Sequence, residues 1–96
     1  IQEGKERIEE RVTREPRGDA EVVGKVIQYY REKRGVSQEV LSSFADIGRT
    51  HLSAIERGIR KPTLETFYRI SEALGIKASE LMKAIEYEIE KKRAKQ

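Results

Sequence analysis

Apolar residues recur at helical spacing along most of the chain beyond residue 18. Val23, Val26, Ile27 and Tyr30 fall at i, i+3, i+4 and i+7, the pattern of a helix with one buried stripe. Asp19 stands where such a helix would be capped, and Gly35 offers its left-handed exit. Val40, Leu41, Phe44 and Ala45 mark a short second helix behind a cap at Ser37. Ala45-Asp46-Ile47 leaves room only for a tight turn, and Asp accepts a positive φ better than most residues other than Gly. Leu52 and Ile55 predict a third helix over 49–57, opened by Gly48 and ended by Gly58. Leu64, Phe67, Ile70 and Leu74 predict a fourth, capped by Thr63 and stopped by Gly75. Leu81, Met82, Ile85 and Ile89 predict a fifth that begins near Ala78 and runs into the charged C-terminal tail.

No stretch alternates with period two for long, so the expected class is all-α, a compact five-helix domain. Three segments are expected: a charged arm or helix over 1–18, the domain over 19–82, and an extended helical end over 83–96. The first segment has Ile1, Ile8 and Val12 as its only aliphatics, near a seven-residue period, before Pro16-Arg17-Gly18 breaks it. That composition fits a thin-striped helix or a solvated arm.

The 96 residues suffice for one domain with a modest core, and a hydrophobic content of 36% is low for that size. The absence of cysteine removes disulfides, thiolate metal sites and a cysteine nucleophile. The lone His51 removes any His-pair metal motif. No phosphate-cradling glycine loop or acid–base constellation accompanies it, so neither a cofactor nor catalysis is expected. No run approaches the roughly 18 apolar residues of a membrane span and no signal-peptide pattern opens the chain, so a soluble cytoplasmic protein without membrane contact is expected. The chain opens on Ile1 rather than Met, as a trimmed chain or a fragment would. Net charge is +3 but uneven: 31–61 carries seven basic against four acidic residues, while 1–18 carries five of each. The excess around the third helix suits a polyanionic partner.

Two short helices joined by a turn of three or four residues form a helix-turn-helix, whose second helix can enter a major groove. Here the pair would be 37–45 and 49–57. Leu52 and Ile55 anchor the second helix, leaving Arg49, Thr50, Ser53 and Ala54 on a polar edge. Arg can fork onto guanine O6 and N7, Thr or Ala can touch a thymine methyl, and Ser pairs with several base edges. The same edge would also serve as an ordinary solvated helix face. Arg57, Arg60 and Lys61 follow, placed to lie along a phosphate backbone.

The run over 24–81, GKVIQYYREKRGVSQEVLSSFADIGRTHLSAIERGIRKPTLETFYRISEALGIKASEL, resembles the Cro/lambda-repressor-type (Xre-like) helix-turn-helix family. The likeness is carried by Arg31, Ser37-Gln38, Leu41, the RTHLS start of the third helix, Ile55-Glu56-Arg57-Gly58, Pro62 and Ala73-Leu74-Gly75. It implies a lambda-repressor-like five-helix domain that reads double-stranded DNA with Arg49, Thr50, Ser53 and Ala54. It further implies phosphate contacts from Gln38 and His51, and a partly buried ion pair between Arg31 and Glu56. Asp46 departs from the family's usual Gly in the turn, and Gly48 from its usual Ser or Thr cap. RTHLSAIERG is similar to the small controller proteins of restriction–modification systems as much as to phage repressors.

Members of such a family commonly bind two half-sites roughly 34 Å apart as two-fold dimers. A homodimer through 78–92 is therefore expected, with Leu81, Met82 and Ile85 able to complete the core, Ile89 beyond its reach, and Met82, Ile85 and Ile89 at the interface. The expected function is a sequence-specific transcriptional regulator on an operator. The alternative is an antitoxin or adaptor whose charged ends bind a protein partner.

Overall fold

A computed structural model describes residues 18–95. The expected N-terminal arm or helix, with Ile1, Ile8 and Val12, lies outside the described residues. Five helices make up the fold among those described: α1 (Ala20–Arg34), α2 (Gln38–Ala45), α3 (Arg49–Glu56), α4 (Leu64–Leu74) and α5 (Ala78–Ala94).

Local chemistry sets most of their ends. Asp19 Oδ1 accepts the backbone N–H groups of Glu21 and Val22 at 3.1 and 3.2 Å, which satisfies two donors that a helix start leaves open. Ser37 Oγ does the same for Val40 N–H at 3.1 Å, and Thr63 Oγ1 for Thr66 N–H at 3.1 Å. Gly35 and Gly75 end α1 and α4 at φ +76° and +73°, in the left-handed region that other residues enter only with strain.

α1 packs against α3, α4 and α5, while α2 packs against α3 and α4. The shared core comprises Val22, Val26 and Ile27 of α1, Leu41 and Ala45 of α2, Leu52 and Ile55 of α3, Phe67, Ile70 and Leu74 of α4, and Leu81 and Ile85 of α5. Each fully buried Leu or Ile among them contributes about 1.5–3 kcal/mol of transfer free energy.

The periodic stripes located the helices better than their inward faces. In α1, Val22 is buried while Val23 and Tyr30 are half-buried against the core. Neighbours on more than one side widen the buried arc: Gly24, Ile27 and Arg31, at i, i+3 and i+7, are also covered. Phe44 and Leu64, both expected inside, are 70% exposed, and Val40 is also exposed. α2 has little more than two turns, and only Leu41, Ser42 and Ala45 face inward. Leu64 sits a quarter-turn off the Phe67–Ile70–Leu74 stripe.

α5 brings the largest correction. Ile85 is 1% exposed inside the core, Ile89 leans on that core, and Met82 is exposed. The expected interface of Met82, Ile85 and Ile89 therefore does not form one outward stripe, and the packed unit extends beyond residue 82. Lys92 adds a polar tie to the packing of α5 on α1. Its Nζ lies 2.9 Å from Asp19 Oδ2 and 3.5 Å from Glu21 Oε1, which holds the helix along α1 where Ile89 meets the core. The hydrogen bond from Lys92 lowers the Asp19 pKa below its ordinary value, and the same bond raises that of Lys92.

Arg34 makes a second long-range tie. Its Nη1 donates to Leu74 O at 2.7 Å, closing the last turn of α4 from α1. A Cβ on Gly75 would meet this Nη1 at 2.6 Å, a clash the flexible Arg34 side chain can relieve by moving, so it is the positive φ that makes glycine necessary there.

Candidate nucleic-acid interface

The site is built on the junction of α2 and α3. Asp46 ends α2 in the left-handed region at φ 55°, ψ 47°, where an L-residue with a short polar side chain is tolerated. Arg69 of α4 braces this turn from outside, its Nη1 donating to Asp46 O at 3.2 Å and Oδ2 at 3.3 Å. Arg69 is itself steadied by Glu65 Oε2 at 3.0 Å, and these carboxylates, Glu65 foremost, raise its pKa. The Asp that replaces the family's glycine thus supplies a partner that glycine would lack. Gly48 opens α3 from extended backbone at φ −70°, ψ 145°, with no side-chain cap.

Leu52 and Ile55 are fully buried, which fixes which way α3 turns its remaining residues. At 100° per residue, Thr50, Ser53, Ala54 and Arg57 then fall on the outer face, with Arg49 and His51 on its two flanks. Arg49, Thr50 and Arg57 are exposed, whereas His51, Ser53 and Ala54 are half-buried. The helix ends in a backbone wrap: Ala54 O accepts Ile59 N–H at 2.9 Å and Arg60 N–H at 3.3 Å. Gly58 permits the wrap at φ +77°. This fold-back carries the exposed Arg57, Arg60 and Lys61 beside the end of α3.

The other end of the site is internal. Arg31 Nε donates to Glu56 Oε2 at 2.7 Å, and its Nη2 donates to Glu56 Oε1 at 3.0 Å. The Arg31 and Glu56 side chains are 11% and 2% exposed. The bonds to Glu56 raise the Arg31 pKa. Two-pronged, charge-assisted pairing of this kind is stronger and more directional than a neutral hydrogen bond. Arg31 Nη1 also donates to Val36 O at 2.9 Å, and Gln38 Nε2 donates to Glu56 Oε1 at 3.0 Å. One carboxylate therefore joins α1, the start of α2 and the end of α3. Gln38, expected at a phosphate, spends one of its two amide protons on this junction and presents the other from the first residue of α2.

Sequence reasoning missed the role of Gly24. A Cβ there would lie 2.3 Å from Ile55 O and 2.5 Å from Glu56 O, so α1 rests directly on the backbone that ends α3. The only signal was a glycine inside a helical stripe, a position where Gly is unfavourable by about 1 kcal/mol relative to Ala.

Two short helices joined by a left-handed turn, the second locked at its far end and open along its outer face, define a helix-turn-helix domain. The chain belongs to the helix-turn-helix family, whose HTH_3 profile matches residues 27–81. It is 41% identical over 58 residues to control protein C.BamHI of Bacillus amyloliquefaciens, covering 60% of this chain and 72% of that protein. Among solved structures, it is similar to the restriction–modification controller protein C.AhdI of Aeromonas hydrophila at 30% identity and a TM-score of 0.64, over 66% of this chain and 96% of the other. The controller protein C.Esp1396I, solved as a tetramer on its natural 35-base-pair operator, is similar at 28% identity and a TM-score of 0.68, over 73% of this chain and 92% of that one.

Proposed function

We propose that this chain is a sequence-specific, double-stranded-DNA-binding transcriptional regulator that occupies an operator as a dimer, with α3 in the major groove. The observation that carries the reading is the division of α3. Leu52, Ile55 and Glu56 are buried and fastened, while the outer face and its flanks offer Arg49, Thr50, Ser53 and Ala54 to base edges. Arg57, Arg60 and Lys61 flank that face with positive charge, and His51 and Gln38 stand at its sides, positions suited to phosphate. The relative solved on its operator supports the same use of the fold.

Two copies would present two such helices to a two-fold-symmetric site. With Ile85 inside the core, the exposed apolar side chains available to a second copy include Met82 on α5 and Leu64 and Tyr68 on α4. No described helix is long and apolar enough to cross a membrane, and a role at the chromosome of a prokaryotic cytoplasm completes the reading.

Selection of bound duplexes from a random pool tests the proposal. A two-fold-symmetric consensus is expected; recovery without sequence preference would overturn DNA reading, and sedimentation of only monomer on and off the consensus would overturn the dimer. Lys61→Ala should weaken binding to all sequences alike and lower the salt slope by about one.

A further inference from the structure

We infer that Gly24 is a positioning residue for the DNA-reading helix, setting the seat of α3 and through it the discrimination between sequences; this rests on the function proposed above. Gly24 lies inside the 15-residue α1, and it is not among the glycines of positive φ. Its absent side chain, rather than its backbone freedom, is what the structure uses. A Cβ would meet Ile55 O at 2.3 Å, Glu56 O at 2.5 Å and Glu56 C at 2.8 Å. All three are backbone atoms, so no rotamer change relieves the overlap. Alanine would fit only if α1 and the end of α3 moved apart by about 1 Å, the gap between these distances and ordinary van der Waals contact.

Two further contacts, one near each end of α1, show that this helix is pressed on the same part of the chain. Gly58 approaches Glu21, where a Cβ would stand 3.0 Å from the Glu21 Cα. Arg31, two turns after Gly24, grips the Glu56 carboxylate. The last turn of α3 is thus held twice on one face of α1, by its carbonyls at Gly24 and by its side chain at Arg31. The reading residues extend from this clamp over a helix of about 12 Å at 1.5 Å per residue. A displaced clamp moves them together. Bidentate base contacts lose their geometry over such a distance, whereas the long side chains of Arg57, Arg60 and Lys61 can follow a phosphate.

The full chain carrying Gly24→Ala is titrated with two duplexes, the one selected by the unaltered chain and a scrambled version of it, with helical content followed by circular dichroism. The expected result is a folded variant whose affinity for the selected duplex falls by about tenfold or more, within the range of one lost base contact. Affinity for the scrambled duplex stays within about twofold and the salt slope is unchanged, since the phosphate contacts persist. Equal losses on both duplexes by the folded variant, or no loss on either, overturn the inference. If Gly24→Ala lacks helical signal at the assay temperature, Arg31→Lys weakens the second half of the same clamp and is judged by the same split, with equal losses again overturning it. Discrimination fully kept by a folded Gly24→Ala ends this inference alone; an unaltered chain that fails to discriminate ends the DNA-reading function with it.

Discussion

The two ends of α3 are built by opposite means. Its C-terminal turn is gripped by the Glu56 carboxylate, which meets Arg31 and Gln38, and by the close passage of α1 at Gly24. Its N-terminal turn begins at Gly48, where no side chain caps the helix, and its first two residues are exposed. Rigidity is therefore concentrated at the end that touches the protein, and chemical freedom at the end that can touch something else. An element that reads a surface needs both, and eight residues suffice because the clamp is made by another helix rather than by the length of α3.

The largest break in this contrast comes from the clamp. Glu56→Ala leaves the Arg31 guanidinium buried without its carboxylate, and unfolding in urea should show a loss of about 3–5 kcal/mol. At the free end the effect should move from stability to binding. Arg49→Ala is expected to cost about 1–3 kcal/mol on the selected duplex and to relax one base position. Its unfolding free energy should stay within about 0.5 kcal/mol of the unaltered chain; a large stability loss there would mean that both ends are structural.

A cap elsewhere gives a measured contrast with the bare Gly48. Asp19→Ala removes a capping oxygen and should destabilise by about 0.5–2 kcal/mol. Because Lys92 holds the Asp19 pKa below the ordinary value of 3.8, the charge-dependent part of that stability is present above pH 3.8 and is lost as pH falls through the lowered value. Asp19→Asn should keep the cap and flatten this acid dependence, read from thermal unfolding across acidic pH. The smallest effect belongs to Gly48→Ser. Nothing lies within 4 Å of a Cβ at Gly48, so the added hydroxyl can cap α3 and should stabilise by a few tenths of a kcal/mol. A loss instead would show that the N-terminal turn relies on glycine for more than an open cap.

What could be read from sequence follows the range of the interaction involved. The caps at Asp19, Ser37 and Thr63 and the exits at Gly35 and Gly75 depend on bonds spanning a few residues, and each stands where local chemistry puts it. The third helix and its outer face were legible because Leu52 and Ile55, the two apolar anchors, mark its inner face. The Arg31–Glu56 pair came from family likeness, since the two stand 25 positions apart and nothing in the chain between them announces it. Phe44 and Leu64 were misjudged, and Ile85 was assigned to the core and to an interface at once, because periodicity gives a helix a face without saying which neighbour, if any, will cover it. Gly24 stood out only as a glycine inside a helix, and its role stayed hidden for the same reason: its partner is the backbone of another helix, which leaves no mark in a sequence pattern.

The bond between Asp19 and Lys92 joins residues 73 apart, and α1 is packed by helices that all follow it in the chain. A ribosome making this protein releases the supporting helix before the four that follow it, and α5 after the other three. Until α5 emerges, Val22 and Val26 lack the flank along which the finished α5 runs, so the domain can complete its fold only after synthesis of nearly all the described chain. A nascent chain that stops before residue 78 would carry α3 without its full scaffold, which makes the seat of that helix a property acquired only once α5 has been made.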